Sequence, residues 1–232
     1  MKCVLIIGGN CDLGRALSKY FINNNYHVVV GYHNDGNNYI DNVKYIRCDV
    51  TQEDDINNII VSTKKMYGNI DIMINLSCLC MDNSFLNKTK SEFMNELEVN
   101  LVGTFLCNQI YSRYIDNGLI INMASTDGLD TYNEYNIGYS VSKAGIIHLS
   151  KSIVLATKNK VLCIAPNWLE TSSTMSMNQE YLIDELKRIG QDRLISIDEF
   201  VVGFDKIIKS DFNSGDIFRI DIKESELWVE RI

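Results

Sequence analysis

The sequence has no long apolar run. No segment approaches the ~18 consecutive apolar residues of a membrane-spanning helix, so no span is expected. Its first residues, Met1 to Gly9, carry one basic side chain and a very short apolar stretch, which reads as a buried strand rather than a signal peptide. Paired Cys-x-x-Cys spacing is missing too. The seven cysteines (3, 11, 48, 78, 80, 107 and 163) are odd in number and mostly set in apolar stretches. Cys78 and Cys80 stand too close for a zinc half-site and have no histidine nearby, so no metal is expected. Buried free thiols in a reducing cytoplasm are the expectation instead. Basic clusters are lacking. With 22 Lys and Arg against 30 Asp and Glu, the net charge of −8 argues against a nucleic-acid surface. Repeats and low-complexity tracts are absent, and the Asn-rich pieces at 23–25 and 34–38 read as turns.

What is present is a regular alternation. An apolar run at 4–7 stops at Gly8-Gly9, helical spacing follows through Leu13, Ala16, Leu17, Tyr20 and Phe21, and a strand resumes at 28–30. Strand, glycine turn, helix and strand open a dinucleotide-binding unit. Further strands are expected at 43–48, 70–75, 119–123, 161–165 and 216–222. Helices are expected at 54–67, 91–114, 139–157, 181–189 and 197–209. This predicts one α/β domain over residues 1–232, a Rossmann-type, doubly wound and mostly parallel sheet of about seven strands covered by helices on both faces. A lid is expected at 167–192, after the only proline, Pro166. Ligands of such sheets lie beyond the carboxyl ends of the strands. That rule gathers 8–14, 32–35, Asp49, 75–82, 125–136 and 166–177 on one rim.

On that rim stands Tyr139-Ser140-Val141-Ser142-Lys143, with Ser125 upstream. Tyr139 and Lys143 fall one helical turn apart on one face. An ammonium near a phenol favours the phenolate and lowers a pKa that begins near ~10, toward proton exchange with a substrate oxygen. Taken alone, the pair also reads as a Tyr edge packed beside a solvated Lys.

With these residues the chain resembles the classical short-chain dehydrogenases/reductases over nearly its whole length, and among them the 3-oxoacyl-acyl-carrier-protein reductases. Asn100 in Glu98-Val99-Asn100-Leu101, Ser125 after the strand Ile120-Ile121-Asn122-Met123, Tyr139 and Lys143 match that family's catalytic tetrad in order and spacing. The glycine turn, Ile7-Gly8-Gly9-Asn10-Cys11-Asp12-Leu13-Gly14, keeps Gly8 and Gly14, but has Ile7 for the family's Thr and Asp12 for its middle Gly. Asp12 brings a carboxylate toward the pyrophosphate or serves as a helix N-cap. Three other departures are Asn75-Leu76-Ser77 for Asn-Ala-Gly, Pro166-Asn167 for Pro-Gly, and no Gly-Gly after Asp221.

The resemblance implies an NAD(P)-dependent oxidoreductase acting on a carbonyl or alcohol. Tyr139 would be the general acid, Lys143 would lower its pKa and bond the nicotinamide ribose, Ser125 would donate to the developing alkoxide, and Asn100 would hold a water leading from Lys143 to solvent. It implies a cofactor site built from Gly8, Asn10, Leu13, Gly14, His33, Asp49, Val50, Asn75, Tyr139, Lys143, Pro166 and Thr171. Asp49 would contact adenine or cap the next helix; Thr171 would touch the cofactor or be an ordinary loop threonine. The family's acid at the end of the second strand falls on Gly31, and the first acid after it is Asp35, in an Asp-Gly turn. That favours NADP(H) over NAD(H), with His33 or Arg15 as donors to a 2′-phosphate.

A dinucleotide-binding sensor or scaffold without turnover is the alternative. The lid, with Met175 and Met177 and faced by Tyr132 and Tyr135, suggests an apolar pocket. A carrier-protein-bound substrate would need a basic docking patch, for which Arg113, Lys187, Arg188 and Arg193 are candidates. Apolar stripes on the helices carrying Asn100 and Tyr139, with an apolar tail at Leu227-Trp228-Val229, predict a homotetramer through two different two-folds.

Overall fold

A computed structural model describes residues 1–34 and 39–232. β1 (Lys2–Ile7) is buried from Cys3 onward and pairs on both sides, with β2 (Tyr26–Tyr32) and β4 (Ile72–Asn75). Beyond them lie β3 (Val43–Arg47) on one side, and β5 (Leu119–Met123), β6 (Lys160–Pro166), β7 (Ile217–Lys223) and β8 (Glu226–Arg231) on the other. The sheet has eight strands in the order β3-β2-β1-β4-β5-β6-β7-β8, all parallel except β8. The chain reverses its direction of travel between β1 and β4, so the crevice of the fold opens at Gly8 and Leu76.

Alternate β1 residues feed opposite layers. Val4 and Ile6 meet Leu17 and Phe21 of α1 (Asp12–Asn23) and Phe200 and Phe204 of α8 (Ile197–Lys209). Leu5 and Ile7 meet Ile56, Ile59 and Ile60 of α2 (Glu53–Tyr67) and Ile110 and Tyr111 of α4 (Gly103–Tyr114). α5 (Ile137–Ser152) packs beside β5 and β6 through Ile146.

The helix expected over 91–114 is α3 (Lys90–Leu97) and α4 joined by a wider turn at Glu98–Val102, where the Gly103 amide reaches back five residues to the Glu98 carbonyl. Thr89 and Glu92 form a reciprocal cap that sets where α3 begins. The lid contains a short α6 (Ser172–Met175) before α7 (Gln179–Ile189).

β8 corrects the expectation of an exposed tail. Leu227 and Val229 fold back against the core beside β7. The turn into β8 places Glu224 and Ser225 at φ 50° and 63°, a left-handed hairpin turn built without glycine or asparagine. Its usual sequence signal is therefore missing.

Candidate active site

β5 ends at Met123 and delivers Ser125 to the mouth of the sheet; α5 begins at Ile137 and lays Tyr139 and Lys143 along the same wall. Ser125, Tyr139 and Lys143 line one cavity of about 300 Å³, together with Leu13, Pro166 and Thr171. The Ser125 hydroxyl lies close enough to the Tyr139 oxygen to favour its ionised form. Lys143 Nζ lies 5.3 Å from the Tyr139 ring centre and donates to the Met123 carbonyl at 2.9 Å.

Lys143 is not among the leading influences on Tyr139. Desolvation in the cavity wall pushes the Tyr139 hydroxyl well above its ordinary value, Cys78 and Asp127 add to the rise, and only Ser125 opposes it among the leading influences. Tyr139 is therefore a phenol at neutral pH, the form that an acid needs.

Asn100 sits in the widened turn and is fully buried. Its Oδ1 accepts from the Leu79 amide at 2.7 Å, while its Nδ2 donates to the Leu79 carbonyl at 2.8 Å and to Ser142 Oγ at 3.0 Å. The side chain thus ties the loop after β4 to α5. Wider turns of this kind recur at functional sites because they re-aim one side chain within a continuous helix.

The sequence reading missed the pair beneath this loop. Glu96 and Lys88 are both buried and meet at 2.7 Å; Glu96 Oε1 also accepts from the Met81 amide at 2.9 Å, and Lys88 donates to the Met81 carbonyl. A Cβ at Gly138 would collide with Glu96 Oε2, so a glycine directly before Tyr139 lets α5 approach this carboxylate. The available signal was an acid on the helix face that also carries Phe93 and Asn100.

The glycine turn is preserved where it matters. The Gly8 and Gly9 amides donate to the Gly31 carbonyl at 2.9 and 3.1 Å, and a Cβ at Gly14 would strike the Gly9 backbone. Asp12 is not the cap. Cys11 holds that place, its sulfur accepting from the Gly14 amide at 3.4 Å. The Asp12 carboxylate turns to Arg15 and to the Ser172 amide, 2.7 Å away, joining the helix start to the lid. Against partial desolvation, these two partners hold Asp12 below the usual carboxylate range. Asn10 donates to the Asn34 carbonyl at 3.2 Å, and its own buried oxygen has no protein partner. The α1 N-terminus with its close glycine approach fits a pyrophosphate, and Asp12 does not obstruct it.

Past β2 and β3 lie the residues expected at the adenosine. His33 Nε2 stands 3.5 Å from Asp49 Oδ2. Asp49 Oδ1 takes the Thr51 amide and hydroxyl at 3.0 and 2.8 Å; against desolvation, these bonds hold its carboxyl low. Asp49 does not cap α2, whose cap position is Gln52. Val50 is core, packed on Gly103. A Cβ at Gly31 would point at Ile59, 2.9 Å away, so Gly31 is a core position and the rim begins at Tyr32 and His33. Arg15 is committed to Asp12, and Asp35 lies outside the described residues.

Asn75 is buried, not on the rim. Its Nδ2 donates to Asn108 at 2.7 Å and to Asn122 at 2.8 Å, and Asn122 continues to Ser150 at 2.9 Å, a polar thread between β4, β5 and their helices. Thr171 caps α6, its hydroxyl accepting from the Thr174 amide at 3.2 Å.

The cavity is largely apolar, with Met123, Trp168, Leu169 and Met177 in its wall as expected, but one side carries Asp82, Asp127, Asn133, Asn136 and Tyr181. Tyr135 meets Tyr181 edge-on at 5.9 Å, whereas Tyr132 points into solvent. All seven cysteines are free, but only four are buried; Cys11, Cys78 and Cys80 are exposed and line this cavity. Among the described residues no cluster suits a metal, and no helix is long and apolar enough to cross a membrane.

A family model described as short chain dehydrogenase matches residues 2–182. A 3-oxoacyl-[acyl-carrier-protein] reductase of Bos taurus is 26% identical over 194 residues, 78% of this chain and 81% of the relative. A short chain dehydrogenase of Leptospira borgpetersenii with bound NAD+ superposes with a TM-score of 0.83 at 25% identity, covering 95% of this chain and 91% of that one. ElxO with NADP bound reaches a TM-score of 0.77 at 23% identity, covering 94% and 96%.

Proposed function

The chain belongs to the short chain dehydrogenase family and is an NAD(P)-dependent oxidoreductase, and from that premise we propose that Tyr139 is its general acid–base group. The observation that carries this is the convergence of Tyr139, Ser125 and Lys143 on the wall of one cavity, with the Tyr139 hydroxyl held protonated by burial. A bound nicotinamide dinucleotide supplies the hydride. In the reducing direction Tyr139 gives its proton to the carbonyl oxygen, and Ser125 donates a hydrogen bond to the same oxygen as charge develops. Lys143, fixed by the Met123 carbonyl, keeps a buried cation one turn from the phenol, which favours the phenolate left once the proton is given up. Asn100 holds the Leu79 loop against Ser142, three residues from Tyr139 in the same helix.

Gly8, Asn10, Leu13 and Gly14 would hold the pyrophosphate side, His33, Asp49 and Val50 the adenosine, and Pro166, Thr171, Tyr139 and Lys143 the nicotinamide side. NADP(H) is the proposed partner. Tyr32, which ends β2, and His33 and Asn34 after it carry no carboxylate of their own to repel a 2′-phosphate. Titrating Trp168 and Trp228 fluorescence should show NADPH binding at least about tenfold tighter than NADH, a gap of ~1.4 kcal/mol. Tighter NADH binding overturns the preference, and binding of neither overturns the oxidoreductase site.

The assembly proposed is a homotetramer in the cytoplasm. Phe93, Leu97 and Leu101 are only half-covered, and Phe105 and Val141 are exposed beside them, which supports one two-fold through α4 and α5. Leu227 and Val229 no longer argue for a second interface; the free outer edge of β8 supports it instead. Light scattering at micromolar concentration should exceed a dimer, and a 26.5 kDa monomer would refute both contacts.

A further inference from the structure

The reacting end of the cavity is walled by acids. Asp127 lies two residues after Ser125, is almost fully buried, and bears on the Tyr139 hydroxyl. Its oxygens accept from Thr131 Oγ1 at 2.8 Å and Asn136 Nδ2 at 2.7 Å. Asp82 lines the same cavity from the loop after β4 and accepts from the Cys80 thiol at 3.2 Å. Lys143 is the one cation among the described lining residues, and it is buried against the Met123 carbonyl. Arg188, the cation on the lid that acts on Asp127, is held by Glu185 at 2.7 Å.

We propose that this site takes a small carbonyl or alcohol substrate bearing hydroxyl or ammonium groups near the reacting carbon, and discriminates against one bearing an anionic group there. The inference deepens the oxidoreductase reading and rests on Tyr139 and Ser125 marking that carbon. Each Asp oxygen has room for more than one donor, so a hydroxyl or ammonium entering the cavity finds acceptors already oriented by Thr131 and Asn136. An incoming carboxylate instead meets like charge in a space too small for full hydration, where repulsion is poorly screened. Burial, which raises Asp127 against its hydrogen bonds, is offset by a donor and worsened by an anion. An unadorned acyl chain would leave this polar wall unpaired.

Three ketones of matched shape test this: cyclohexanone carrying a 3-hydroxyl, a 3-ammonium or a 3-carboxylate group, beside an acetoacetyl thioester. With whichever dinucleotide binds, kcat/KM for the hydroxyl and ammonium ketones should exceed that for the carboxylate by at least about tenfold. Asp82→Asn should narrow the ammonium-to-carboxylate ratio by roughly threefold or more, and Asp127→Asn by more still. Because Asp127 is buried and multiply bonded, the exposed Asp82 keeps the test valid if Asp127→Asn misfolds. The proposal is overturned if the carboxylate ketone or the thioester is preferred, if neither hydroxyl nor ammonium ketone is reduced, or if the ratio is unchanged in Asp82→Asn. Loss of dinucleotide binding in the fluorescence titration would instead retire the oxidoreductase reading itself.

Discussion

Replacing Tyr139 by Phe is expected to lower turnover by roughly 10²–10⁴-fold while leaving the fold and dinucleotide affinity near those of the unaltered chain. The substitution removes one hydroxyl, and with it both the transferable proton and the neighbour of Ser125. Ser125 keeps the bond it accepts from the Asp127 amide at 3.1 Å, so the loop does not lose its anchor. The stability cost should stay near ~1 kcal/mol, that of a single hydrogen bond. Steady-state kinetics on a ketone substrate, with parallel fluorescence titration of the dinucleotide, separate the two effects. Turnover at the original rate would mean that another group carries the proton, and the site assignment would fail.

The largest effect on stability should come from Glu96→Ala. Breaking a buried ion pair from one side costs roughly 3–5 kcal/mol, because the remaining charge is left unpaired in a low-dielectric interior. A domain of this kind has only about 5–15 kcal/mol in total. Here the loss compounds, since Glu96 also accepts from the Met81 amide and faces Gly138 at the start of α5. Urea denaturation followed by circular dichroism should show a large fall in midpoint. The double change Lys88→Met with Glu96→Leu, which leaves no charge behind, should recover much of the loss. A single variant within about 1 kcal/mol of the parent would show that water or a rearranged Lys88 relieves the site. Any defect in turnover should follow the fold, because neither residue lines the cavity.

The site was partly legible in the sequence. Ser125, Tyr139 and Lys143 converge as their positions after β5 and along one face of α5 require, since period and strand end fix direction without tertiary information. Asn75 was misread as a rim residue because rim and core alternate residue by residue at a strand end; pairing register, not residue type, decides which way it points. Asp12 was placed one residue too late for a cap, a shift within the ordinary uncertainty of helix boundaries. Its true partner, Ser172, is 160 residues away and could not be inferred from local pattern.

The sequence alone determined the alternation of strands and helices and the doubly wound parallel sheet, which follow from periodicity and glycine placement, both local properties; the candidate tetrad came from resemblance to a family. The tertiary structure decided the rest. It brought Lys88 and Glu96 under the loop after β4, turned Asp12 onto the lid, and folded the tail into β8. It also raised the Tyr139 hydroxyl where a neighbouring ammonium had suggested a fall. Desolvation depends on everything packed around a group, so its effect on a pKa can exceed that of one neighbour that the sequence does reveal.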